Sequence, residues 1–229
     1  MQTPKIAFFD LDNTLYSYEN AHGPAQKALI EYLGMQLGMR TGDVATRLEF
    51  ARNKVKVRLG DIASSHSRLM YVTQFLNDES INSRPSLALS AEQVYWRTFL
   101  RYMELFDGVK DLLTALRLRQ CKTVLITDLS TSIQYRKMLW LGLEGYFDQI
   151  LTSEEAGGDK RSGKPEEMLK DLIRVPIDGG WCIGDQDFDH LFKESTVFFH
   201  RLGHSSGSNK RGFKTFNELI AELDKSIIS

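Results

Sequence analysis

The chain has 229 residues, 42% of them hydrophobic and 26% charged, with 29 lysines and arginines against 30 acids for a formal charge of −1. This is an ordinary globular composition, and it leaves no basic field to recommend nucleic acid or an anionic membrane as partner. No apolar run approaches the ~20 residues that span a bilayer, and MQTPKIAFFD passes from a very short apolar stretch straight into acid, unlike a targeting signal, so a soluble, cytoplasmic protein is expected. Cys121 and Cys182 flank strand-like apolar runs and read as small buried thiols in a reducing compartment.

In chain order, KIAFF (residues 5–9) reads as a buried strand. Helical spacing follows for a long stretch: Ala25, Ala28, Leu29, Tyr32 and Leu33, then Val44, Leu48, Ala51, Val55 and Leu59 after a cap at Thr41. A third helix is expected over 67–76. The polar NDESINSRPSLALS reads as a loop, and SAEQ at Ser90, with the S-x-x-Q form of a capping box, as the start of a fourth helix. From Gly108 the alternation is regular: helix 109–118, strand 122–126, helix 131–141, strand QILT, helix 165–173, strands WCIG and TVFF, and a last helix 216–223. GHSSGSNKRG (203–212) reads as a surface loop.

Strands alternating with helices imply a doubly wound, Rossmann-like parallel sheet covered on both faces. The expected division is a core of residues 1–16 and 105–229, interrupted by an all-helical insert over 17–104.

Ligand sites in such sheets form beyond the carboxyl ends of the strands. The first strand delivers Asp10 and Asp12, and the second Thr127 and Asp128. The loop after QILT delivers Lys164, and WCIG delivers Asp185, with Asp187 and Asp189 behind it. Taken singly, each has a plainer reading: a self-capped turn, a strand-end hydroxyl, a surface lysine, an acidic turn. D-x-D could also open a calcium loop, but Leu15 stands where that loop needs glycine and Ala21 where it needs glutamate. Acids, a hydroxyl and an amine converging at one sheet end exceed what a stabilising core requires.

Together DLDNTL, VLITD, Lys164-Pro165 and IGDQDFD resemble the four-motif signature of the haloacid dehalogenase superfamily, whose members are aspartate-nucleophile hydrolases. The helical insert is similar to the cap of one large subgroup. The resemblance implies that Asp10 is the nucleophile, giving an aspartyl-phosphate, and that Asp12 is the general acid and base. Thr127 and Asp128 then contact the phosphoryl oxygens, and Lys164 offsets their charge. Two carboxylates beside a phosphate dianion call for a hard divalent cation, Mg2+, held by Asp10, the Asp12 carbonyl, Asp185 and Asp189. Lys160 is a rival to Lys164, and Asp187 to Asp189. Asp12 favours phosphoryl transfer over dehalogenation, because a halide leaving group needs no proton.

The expected activity is hydrolysis of a small phosphorylated metabolite. Two alternatives stand beside it: a phosphomutase, and a non-catalytic domain whose insert recruits a partner. In the insert, His66 and Arg68 are candidates to hold an anionic substrate tail, as is His22. Arg47, Arg52, Lys54, Lys56 and Arg58 read as a solvated basic face. Oligomeric state is not readable from these features.

Overall fold

A computed structural model describes residues 3–81, 84–203 and 209–228. Its strands are β1 (Ile6–Phe9), β2 (Lys122–Thr127), β3 (Gln149–Thr152), β4 (Gly180–Gly184), β5 (Thr196–Arg201) and β6 (Lys210–Phe213). All pair in parallel, in the order β3-β2-β1-β4-β5-β6. Every residue of β1 and β4 is buried, as continuous apolar runs flanked on both faces should be. Ile6, Phe8, Val124, Ile126, Cys182 and Phe198 point to one face and pack with Leu169 and Leu191.

The helices are α1 (Tyr18–Leu37), α2 (Thr41–Leu59), α3 (Arg68–Asp78), α4 (Pro85–Arg101), α5 (Val109–Leu118), α6 (Thr131–Trp140), α7 (Ser153–Ala156), α8 (Lys164–Leu172) and α9 (Phe216–Ile228). The chain separates into two compact units: Met1–Ser17 with Glu104–Ser229, which holds the sheet, and Tyr18–Met103, which holds α1 to α4. In the helical unit α1 packs on α4, and α2 on α3. Lys54–Asp78 (2.9 Å) and Arg47–Glu79 link α2 to the end of α3, exposed pairs worth at most ~1 kcal/mol each.

Three expectations are corrected. α4 begins at Pro85, because proline at the first helical turn already fits the helix, so Ser90 is internal and caps nothing. α1 begins at Tyr18, well before Ala25, the first residue of its helical spacing. The loop expected over 203–212 lies partly outside the described residues, but Lys210–Phe213 forms the edge strand β6. Both cysteines are free and buried, and burial pushes each thiol up to about 12, so neither is a nucleophile. No helix among the described residues is long and apolar enough to cross a membrane.

Candidate active site

β1 sits between β2 and β4, and the strand sequence changes direction around it, the topological switch point where such sheets open a crevice. Asp10 leaves β1 directly into that crevice, its N–H still bound to the Ile183 carbonyl at 2.9 Å. Asn13 adopts φ 62°, a left-handed conformation that asparagine tolerates better than most residues. The chain therefore turns back, and the buried Thr14 Oγ1 donates to Asp10 Oδ2 at 2.8 Å.

Asp10 Oδ1 accepts from Lys160 Nζ at 2.5 Å, and the same ammonium reaches Asp189 Oδ1 at 2.5 Å. Lys160 lies in the turn before α8 and is almost wholly buried. Its backbone N–H is held by Asp128 Oδ1 at 2.9 Å, which couples the loop after β2 to the lysine's position. Lys164, the amine expected here, does not reach Asp10. It is the first residue of α8, and its Nζ donates to the Gly157 carbonyl at 2.8 Å.

Asp189 Oδ2 accepts the N–H groups of Asp185 (3.1 Å) and Gln186 (2.9 Å), fixing the turn that presents Asp185. This needs a glycine at 184: a Cβ there would lie 2.3 Å from the Asp189 Cβ. Asp187 instead faces outward to Lys210.

Asp12 is held by groups with no motif to announce them. Lys137 Nζ, on α6, lies 2.8 Å from each Asp12 carboxylate oxygen, with a side chain 0% exposed. Tyr16 OH donates to Asp12 Oδ1 at 2.5 Å. From the same helix Gln134 donates to Thr127 Oγ1 and to the Asp128 carbonyl. The acceptor side of the Thr127 hydroxyl is thus engaged, and its proton remains to be donated. Arg201, at the end of β5, donates to the Asn13 carbonyl at 3.3 Å and lies 3.6 Å over the Phe106 ring. His66 and Arg68 belong to the helical unit.

Asp10, Asp12, Thr127, Asp128, Lys160 and Asp185 line one cavity of about 190 Å³, with Asp189 at its wall. Burial raises the Asp10 carboxyl well above its usual range; Lys160 opposes this, while Asp189 and Asp185 add to it. Asp185 is also raised, by burial and then by Asp189 against the Gln186 hydrogen bond. Burial alone would lower Lys160, but Asp10, Asp189 and Asp128 outweigh it and hold it protonated. Oxygens of Asp10, Asp185 and Asp189 lie within 4.8 Å of one another. Three acids against one ammonium leave negative charge uncompensated, and the donors are all hard oxygens. A divalent cation such as magnesium fits that set.

A family model for haloacid dehalogenase-like hydrolases matches residues 4–185. A ribulose-1,5-bisphosphate 5-phosphatase from Halopiger xanaduensis is 36% identical over 155 residues, covering 66% of this chain and 64% of that protein, a little under two thirds of its length. Among solved structures, a 2-haloacid dehalogenase from Pseudomonas syringae aligns at TM-score 0.71 and 18% identity, covering 97% of this chain and 99% of the other. The magnesium-bound hydrolase YfnB of Bacillus subtilis aligns at TM-score 0.66 and 20% identity, covering 97% and 100%. Likeness at those identities speaks for the fold.

Proposed function

The chain belongs to the haloacid dehalogenase-like hydrolases, and from that premise we propose that it is a magnesium-dependent phosphatase of the cytoplasm, hydrolysing a small phosphomonoester through an aspartyl-phosphate. One observation carries the choice of reaction: Asp12 lines the same cavity as Asp10 and is anchored there by Lys137 and Tyr16. A dehalogenase has no use for a second carboxylate so held, whereas an alkoxide leaving group needs a proton. The name of the Halopiger relative agrees with a phosphorylated sugar-like substrate.

In this reading an Asp10 carboxylate oxygen attacks phosphorus while Asp12 gives its proton to the departing ester oxygen. Asp12 then takes a proton from water, whose oxygen attacks phosphorus and releases Asp10 with inorganic phosphate. Lys160 holds Asp10 in place and balances charge beside it. Thr127 donates its hydroxyl proton to a phosphoryl oxygen. Magnesium, when bound, would be held by Asp10, the Asp12 carbonyl and Asp185, with Asp189 supporting, and would supply positive charge to the phosphate. The helical unit would act as a cap that selects the substrate.

The test is turnover of p-nitrophenyl phosphate with magnesium. Asp10→Asn should lower kcat by at least ~10⁴, on the scale of losing an enzymatic nucleophile, and chelation should abolish turnover of the native chain. Undiminished turnover by Asp10→Asn would remove the proposed nucleophile. A requirement for a bisphosphorylated activator would turn the reading towards a mutase.

A further inference from the structure

Helix α6 is built against its own polarity. Gln134 and Lys137, three residues apart and so on one face, are each 0% exposed, while the large apolar Tyr135, Leu139 and Trp140 lie at the surface. A helix placed for stability alone would carry these types the other way round, because buried polar groups are tolerated when they are fully hydrogen-bonded. Gln134 does not meet that condition. Its Nε2 donates to the Asp128 carbonyl at 2.7 Å and to Thr127 Oγ1. Its Oε1 is buried and has no hydrogen-bond partner among the described residues.

The arrangement gives the Thr127 hydroxyl a direction. A carbonyl oxygen only accepts, so the group facing the Asp128 carbonyl is the amide NH2. Turning the amide over would set two acceptor oxygens against each other, which fixes its orientation. The same NH2 meets Thr127, whose Oγ1 therefore receives a hydrogen bond and whose own proton must go elsewhere. Among the described residues none accepts it. Thr127 is 1% exposed and lines the cavity that holds Asp10 and Lys160. A threonine hydroxyl left to itself rotates and can give or take, whereas this one is committed to giving. A brace for the turn after β2 needs only the bond to Asp128. The second bond, and the orphaned Oε1, go beyond bracing.

We propose that Gln134 is a positioning residue, which holds the Thr127 hydroxyl as a donor to a phosphoryl oxygen and so fits the cavity to an oxygen that carries no proton, as on an ionised phosphate. It acts through Thr127 and touches no reacting atom. As part of the turnover machinery, this role rests on the phosphatase reading.

The test is a double-mutant cycle in kcat/KM for p-nitrophenyl phosphate with magnesium, over the native chain, Gln134→Met, Thr127→Val and the double variant. Thr127→Val should lose ~10- to 100-fold, the scale of one hydrogen bond to a charged group, and Gln134→Met about 10-fold. In the Thr127→Val background Gln134→Met should cost no more than about 2-fold, because the residue acts only through that hydroxyl. Equal losses in both backgrounds, or no loss in either, would overturn the proposal. Gln134→Glu keeps the shape and serves if Gln134→Met fails to fold. It offers at most one donor, for the Asp128 carbonyl, and its other oxygen takes the Thr127 proton, so it should lose at least as much as Gln134→Met. Native kcat/KM in Gln134→Glu would equally overturn the proposal. Calorimetric titration of inorganic phosphate into the magnesium-loaded chain repeats the cycle without turnover. Coupled losses of phosphate affinity, in a native chain that turns over no ester, would keep the role of Gln134 and sink the phosphatase. Additive losses with full native turnover would do the reverse.

Discussion

In the sheet unit Asp10 and Asp189 share one ammonium, Lys160, with Asp185 close by, whereas in the helical unit one guanidinium, Arg68, has phenols and a carbonyl as its hydrogen-bond acceptors among the described residues. The first cluster has an excess of negative charge and the second an excess of positive, and both are buried. A chain stabilised for its own sake would pair such groups internally, since burying an unbalanced charge is unfavourable by several kcal/mol. The contrast teaches that the two cavities differ in sign: acids outnumber the ammonium in one, and cations dominate the wall of the other. It also separates their tolerances, because the acids are fixed by backbone N–H groups and a glycine contact, and Arg68 by side chains that can yield.

The largest expected effect breaks the negative cluster. Lys160→Met should lower kcat on p-nitrophenyl phosphate by about 10³, the scale of losing an electrostatic contact to the transition state. Lys164→Met, whose amine binds only a loop carbonyl, should cost no more than a few-fold; equal losses would return the role to Lys164. Next, Lys137→Met should lower kcat by ~10- to 10²-fold on an alkyl phosphate and less on p-nitrophenyl phosphate, whose leaving group needs no proton. Equal losses on both substrates would mean that Lys137 does not act through Asp12. Gly184→Ala should destabilise the sheet unit by about 2 kcal/mol in urea unfolding, since the added methyl meets Asp189 and overpacking of this kind is costly. An unchanged midpoint would show that Asp189 is free to move.

The smallest effect probes the positive cavity. Burial lowers His22 to about 4, with Arg68 and Arg52 adding to the shift and Glu49 opposing it. The unfolded imidazole binds its proton near pH 6.5 and the folded one only near pH 4. Across that interval the unfolded state holds more protons, so stability is full above pH 6.5 and falls as the pH drops towards 4. The half-buried ring is screened, which limits the contribution to on the order of 1–2 kcal/mol. Thermal melts of the native chain and His22→Gln should converge as the pH is lowered; a constant gap would refute the shift.

Much of this was readable from the sequence because buried strands that end in acids break the apolar pattern abruptly. Asp10, Asp12, Thr127, Asp128 and Asp185 all line one cavity, as strand-end residues should. Lys160 was less legible, since Lys164 has the following proline that marks a helix start, while the reach of each amine depends on a loop conformation no local pattern encodes. Lys137 and Gln134 were invisible: each is a polar residue within a helical repeat, and only tertiary packing turns it inward. Strand β6, KRGF, has no apolar alternation, because an edge strand pairs through its backbone. Arg68 could be named as a candidate, but its want of a counter-charge is a property of the packed bundle.

The place of β1 also bears on how the chain is made. Ala7 pairs with Thr123 on one side and Trp181 on the other, so during synthesis β1 has no sheet neighbour until the chain beyond residue 122 has followed. The four helices emerge as one contiguous stretch with mainly local contacts and can assemble early. Meanwhile Ile6, Ala7, Phe8 and Phe9 remain an unpaired apolar segment, the kind of exposure that invites aggregation during synthesis. A fragment stopping before residue 122 would carry Asp10 and Asp12 with no sheet to hold them, so chain completion is itself a condition for the carboxylates to meet their partners.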